Sequence, residues 1–88
     1  MERNRTNAGF KIIKSIKIDN EEIVIGEKIN GTTEYVTWYC PSENEYYFGH
    51  YCSDKYNALI DMYERALFEI RYHINQVKNY LKEHENNG

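Results

Sequence analysis

The chain has 88 residues and a net charge of −3, with 41% hydrophobic and 28% charged side chains. That length bounds it to one domain with a modest core, and the composition is that of an ordinary globular chain. The acidic balance argues against a general binder of phosphate backbones, and no apolar run is long enough to span a bilayer.

Met1 to Ala8 is polar and reads as a flexible arm. It carries Arg3 and Arg5 but no apolar segment behind them, so it does not read as a signal peptide. The expected address is therefore the cytoplasm, where thiols stay reduced. From Gly9 the pattern changes. Phe10 to Ile18 is nearly alternating, with Phe10, Ile12, Ile16 and Ile18 on one parity and Lys11, Ser15 and Lys17 on the other. Ile13 and Lys14 break the alternation, which predicts a bulge or a two-sided edge strand.

Asp19 to Glu22 reads as a turn, and Ile23 to Ile29 as a second strand. Asn30-Gly31 is a hairpin signal, because that pair readily takes the positive φ angles of a type I′ turn. Thr33 to Cys40 is the third expected strand, Pro41 to Glu45 a loop, and Tyr46 to Cys52 the fourth strand. Short connections favour an antiparallel meander over residues 9–53. Ser53-Asp54 then supplies a helix N-cap and an acid where the helix dipole favours one.

Residues 54–85 contain no Pro or Gly, and residues 86–88 read as a tail. Leu59, Met62, Tyr63, Ala66, Leu67, Ile70, Ile74, Val77 and Leu81 recur at spacings of three and four and predict one apolar stripe. The expected fold is α+β: a four-stranded antiparallel meander with one long C-terminal helix packed on one sheet face. Such a helix is roughly 46 Å long at ~1.5 Å per residue. A six-residue strand is only ~20 Å long, and strands lie ~4.8 Å apart. Ile74, Val77, Tyr80 and Leu81 therefore overhang the sheet, and a dimer or partner contact is expected there.

Residues 35–54 hold both cysteines, the only Trp and five of the nine Tyr. Cys40, His50 and Cys52 are the right types for zinc. Pairing strands three and four about the 41–45 loop places Trp38 opposite Phe48 and Val36 opposite His50. The two cysteines then sit at opposite ends of the hairpin, on the order of 20 Å apart. That separation forbids both a disulfide and a shared ion, and the expectation is two buried small side chains, no metal and no cofactor. His50 and Cys52 share a strand face, but nothing orients the imidazole, and no phosphate loop or nucleophile elbow is present. Asp61, Glu64 and Glu69 read as solvated helix positions. The expectation is a chain without enzymatic activity.

If the Trp38 side faces the helix, Tyr35, Tyr39, Tyr47 and Tyr51 pave the open face. Paved sheets of this kind stack single-stranded bases in some RNA-binding modules. Residues 10–52, however, hold four Lys against seven carboxylates, a balance that suits a protein partner better. Glu43 and Glu45 beside the tyrosines add an acidic loop able to dock on a basic groove.

Tyr35-Val36-Thr37-Trp38 and Tyr46-Tyr47-Phe48-Gly49-His50-Tyr51, within residues 9–66, resemble the motifs of small proteins of Firmicutes phages and mobile elements. The resemblance implies a β-meander followed by a helix, with Trp38 in the core and Gly49 giving room in its strand. It also implies a context: small acidic proteins of such elements often inhibit host defences, including CRISPR effectors, by direct binding. The expected function is thus a non-enzymatic protein-binding module in the host bacterial cytoplasm. Its expected contacts are the Tyr face with Glu43 and Glu45, and the helix end at Ile74, Val77, Tyr80 and Leu81. A single-stranded nucleic-acid-binding sheet is the alternative.

Overall fold

The computed structural model describes residues 5–85. The 86–88 tail and the first half of the expected arm lie outside the described residues. Five strands follow one another, β1 (Thr6–Asn7), β2 (Phe10–Ile18), β3 (Glu21–Lys28), β4 (Tyr35–Cys40) and β5 (Tyr47–Cys52), and then one helix, α1 (Lys55–Glu85). The strands form a single antiparallel sheet in chain order. This is the expected α+β meander and helix, with a short strand added at the N-terminal edge.

That edge strand comes from the second half of the expected arm. Ala8 and Gly9 both have positive φ, 53° and 85°, the combination a two-residue type I′ hairpin needs to match strand twist. Asn30-Gly31 does not form the type I′ turn: only Gly31 has positive φ, at 91°, and Ile29 to Glu34 makes a longer connection.

Two bulges decide which side chains meet. In β2, Ile12 pairs with Gly26 and Lys14 with Ile25, so Ile13 is the extra residue. A one-residue insertion reverses every later side chain. Phe10 and Ile12 therefore face one side, while Ile13, Ile16 and Ile18 face the other. The expectation of one shared face from Phe10 to Ile18 is corrected on that ground. In β5, Tyr39 pairs with Tyr47 but Thr37 with His50, so Phe48 and Gly49 together oppose Trp38. Phe48 absorbs the kink at φ 56°. Val36 consequently pairs with Tyr51 rather than His50.

Each sheet face has its own core. Ile23 and Ile25 pack with Ala58, Met62 and Ala66 of α1. The opposite face buries Phe10, Val24, Val36, Trp38 and Cys40 without a covering helix. The sheet covers this second core by curling on itself. Phe10 of β2 and Tyr51 of β5 have ring centroids 6.1 Å apart, whereas three strand intervals in a flat sheet span ~14 Å. Trp38 meets Phe10 edge-on at 5.7 Å and Tyr46 at 5.4 Å. Arg5 closes the opening: its guanidinium donates to the Tyr46 hydroxyl at 3.2 Å and the Glu43 carbonyl at 3.3 Å, and pairs with Glu22 at 3.1 Å.

The helix begins one residue later than a Ser53 cap implies, with Asp54 itself at the N-cap. The Asp54 carboxylate accepts from the Tyr56 N–H at 3.2 Å, and its carbonyl from the Ala58 N–H at 3.1 Å, the bonds of an N-cap. The small side chains of Ala58 and Ala66 let the helix backbone approach the sheet, with Met62 filling the space between them.

Candidate functional site

The helix carries two apolar stripes, not one. Ala58, Met62 and Ala66 face the sheet and are buried. Tyr56, Ile60, Tyr63, Leu67, Ile70, Ile74, Val77 and Leu81 face solvent, from 40% exposed at Ile70 to 73% at Tyr56. Their spacing alternates four and three without interruption. That is the a/d pattern of a heptad, the seam by which one helix packs against another. On spacing alone the two stripes merge, because the buried residues recur at four and the exposed ones at four and three; the strict alternation is the signal that separates them.

Ile74, Val77, Tyr80 and Leu81 lie beyond the last buried helix residue, Ala66, and all four are exposed. The molecule measures 60 × 27 × 20 Å, with a radius of gyration of 16.2 Å. A compact chain of this length has roughly 12 Å. An apolar groove of about 430 Å³ runs between the helix and the β2–β3 turn, lined by Ile18, Ile70, Ile74 and Val77. The seam is thus continuous from the sheet-backed part of α1 to its free end.

The four tyrosines do not form one surface. Tyr35 and Tyr39 pack into the core beneath α1, with Ile23 and Ile25. Tyr51 lies on the opposite face against Phe10. Tyr47 is exposed beside Phe48, with ring centroids 6.1 Å apart. The cause is the face assignment: Trp38 turns away from the helix, and the β5 bulge moves Tyr51 off the parity of Tyr47. Glu45 accepts from Ser42 at 2.7 Å and from the Tyr47 hydroxyl at 3.4 Å. The Glu43 carbonyl is held by Arg5, so the acidic loop is tied to the N-terminal edge.

Beside the α1 core lies a polar network that the sequence did not announce. Asp61 accepts from the Thr37 hydroxyl and from His50 Nδ1 at 3.0 Å, and Arg65 donates to the Thr37 hydroxyl at 2.9 Å and carbonyl at 3.1 Å. The bulge brings His50 to this face, while Asp61 and Arg65 arrive one helical turn apart on α1. A second groove, about 480 Å³, opens next to the network between Phe48 and Phe68, both largely exposed.

Both cysteines are free. Cys40 is paired with Glu22 at one end of β4 and Cys52 with Tyr35 at the other, so about 17 Å of strand separates them. Burial pushes the Cys40 thiol up to about 11. Burial, then Asp61 and Asp54, pushes Cys52 up as well. Neither thiol is activated toward its thiolate. Among the described residues one group has metal-ligand geometry, Glu21, Glu69 and His73. Glu69 is half-buried there rather than solvated.

The chain matches no protein-family model, no curated protein and no solved structure. Among the described residues no helix is long and apolar enough to cross a membrane.

Proposed function

We propose that the chain is a non-enzymatic protein-binding module that docks a partner helix along the solvent face of α1. One observation carries this reading: eight exposed apolar side chains keep strict heptad spacing from Tyr56 to Leu81. Exposed apolar patches of this extent on a monomer mark interaction sites. Glu64, Arg71, Lys78 and Glu85 flank the seam at seven-residue intervals, where charges of both signs select a partner and its register. A helix free along this face recognises another amphipathic helix through its own i, i+3, i+4 anchors.

The resemblance to phage and mobile-element proteins adds a finer form of the reading, in which the partner is a host defence protein such as a CRISPR effector and docking inhibits it. The nucleic-acid alternative needed an open face of four tyrosines, and no observation favours it once Tyr35 and Tyr39 lie under the helix.

The experiment is a paired pull-down from bacterial lysate with wild type and Leu67→Glu, read by mass spectrometry, with light scattering at low and high concentration beside it. A specific partner, or a self-associated species, that is lost in the variant supports the reading. A wild type that stays monomeric and retains no protein that the variant loses removes it.

A further inference from the structure

We propose that Glu21, Glu69 and His73 form a binding site for one first-row divalent transition ion, Zn2+ foremost. The three come from two elements fixed by packing. Glu21 opens β3 two residues before buried Ile23, and Glu69 and His73 stand one turn apart on α1 just beyond buried Ala66. One donor atom from each lies within 4.8 Å of the others, and Glu21 Oε1 is 3.6 Å from His73 Nε2. Tetrahedral zinc with bonds of ~2.0–2.1 Å places neighbouring donors about 3.4 Å apart, so the side chains need little movement to close on an ion.

The burial of two of these donor atoms also points to a ligand. The Glu21 Oε1 and His73 Nε2 atoms are sealed from solvent and have only one another, at 3.6 Å, which is beyond hydrogen-bond distance. Buried polar atoms are almost always paired, and an ion satisfies both of these at once. Behind the imidazole, His73 Nδ1 faces Asp19 Oδ2 at 3.9 Å. At that distance Asp19 is an ion-pair neighbour, one short side-chain movement from the hydrogen bond that orients a ligating histidine. Glu21 and Glu69 also press on one another. Their carboxylate oxygens lie within 4.8 Å of one another, and a cation between them offsets that crowding of like charge. Two carboxylate oxygens and one imidazole are too few oxygens for a calcium cage, and no thiolate takes part. Zn2+ leads, with Mn2+ and Fe2+ as chemical neighbours, and water completes the shell. Such an ion pins the β2–β3 turn to α1 where the helix leaves the sheet.

The test is calorimetric titration of the chelator-stripped protein with ZnCl2, with Co2+ absorbance as a second probe and circular dichroism to check folding. The expected result is one ion per chain, weakened by about 10-fold or more in both His73→Ala and Glu69→Gln, and a rise in melting temperature with Zn2+ that both variants lose. If His73→Ala fails to fold, Glu69→Gln carries the test. Absence of saturable one-to-one binding, or binding that survives both variants and disappears in His84→Ala, overturns the proposal.

Discussion

Thr37 and His50 lie opposite one another on β4 and β5, and both engage a single carboxylate, Asp61 of α1. The relationship exists only because Phe48 and Gly49 share one partner position in the preceding bulge. Without that extra residue His50 would point to the Trp38 side, and Asp61 would lose its strand partner from β5.

This network is expected to divide unequally on mutation. Thr37 is fully buried, and Arg65 and Asp61 side chains are 14% and 26% exposed, while His50 is 52% exposed. Asp61→Ala leaves the buried Thr37 hydroxyl without its acceptor and Arg65 without its neighbouring charge, at a cost of about 1–3 kcal/mol. His50→Ala breaks an exposed pair, at less than about 1 kcal/mol. Urea unfolding of the two variants checks the order; equal losses would mean that the imidazole, not Thr37, anchors the carboxylate.

The curl of the sheet rests on Gly26. A Cβ built there meets Phe10 Cβ at 2.9 Å and both Trp38 and Val36 at 3.2 Å. Phe10 Cβ is fixed to its own backbone and cannot swing aside, so β2 must shift. Gly26→Ala is expected to cost about 1–3 kcal/mol, the range for overpacking a core. Trp38 fluorescence should shift red as the Phe10–Trp38 contact opens. An unchanged spectrum with unchanged stability would show that the strands slide freely at this point.

The two stripes of α1 make opposite predictions. Met62 is fully buried in one cluster with Ile23 and Ile25, and Met62→Ala is expected to cost about 2–5 kcal/mol. Val77 is 59% exposed, and Val77→Glu should change the stability of the monomer by no more than about 0.5 kcal/mol while weakening partner capture. Denaturation and pull-down on the same pair of variants separate core from interface. A large stability loss in Val77→Glu at low concentration would place the distal helix inside a fold the monomer already makes.

Cys40 supplies an alkaline signature. Its thiol rises from an ordinary 9.0 to about 11 because burial disfavours the thiolate. The unfolded chain ionises first, so the stability tied to the neutral thiol is complete below about pH 9 and is lost as the pH rises toward 11. The drop in urea midpoint over that window should be smaller in Cys40→Ala, which keeps every tyrosine and lysine of the wild type. A variant that falls as steeply as the wild type would assign the alkaline loss to those groups instead.

The four longer strands, the break in alternation at Ile13 and Lys14, the helix, and the separation of the cysteines were legible because each depends on local pattern. Face assignment was not. Alternation specifies which residues share a side only while the register is unbroken, and Ile13 and Phe48 each shift it by one. The run Ile23-Val24-Ile25, with every member at most 1% exposed, did carry the missing information: a strand apolar on both sides has two covered faces. Asp61 with Arg65 and Glu69 with His73 are pairs one helical turn apart, but their strand partners Thr37, His50 and Glu21 are distant in sequence, so no spacing rule could join them.

Glu69→Gln tests the Glu21–Glu69–His73 group without any metal. Burial, followed by the neighbouring Glu21, raises the Glu69 carboxyl in the folded chain. For a carboxyl raised above its ordinary value of 4.5, stability is fullest below that value and declines as the pH rises through the folded pKa. Ionising Glu69 therefore costs the native state more than it costs the unfolded chain. A glutamine fills the same volume, can donate to Glu21 and never ionises. In chelator-containing buffer at pH 7 the variant should melt higher than the wild type, and the advantage should vanish under acid, below about pH 4. Excess Zn2+ should reverse the order at neutral pH, because only the wild type then gains an ion. A residue whose replacement stabilises the empty protein and weakens the loaded one is placed for binding rather than for folding. Equal melting of the two proteins in chelator would show that Glu69 already sits unstrained.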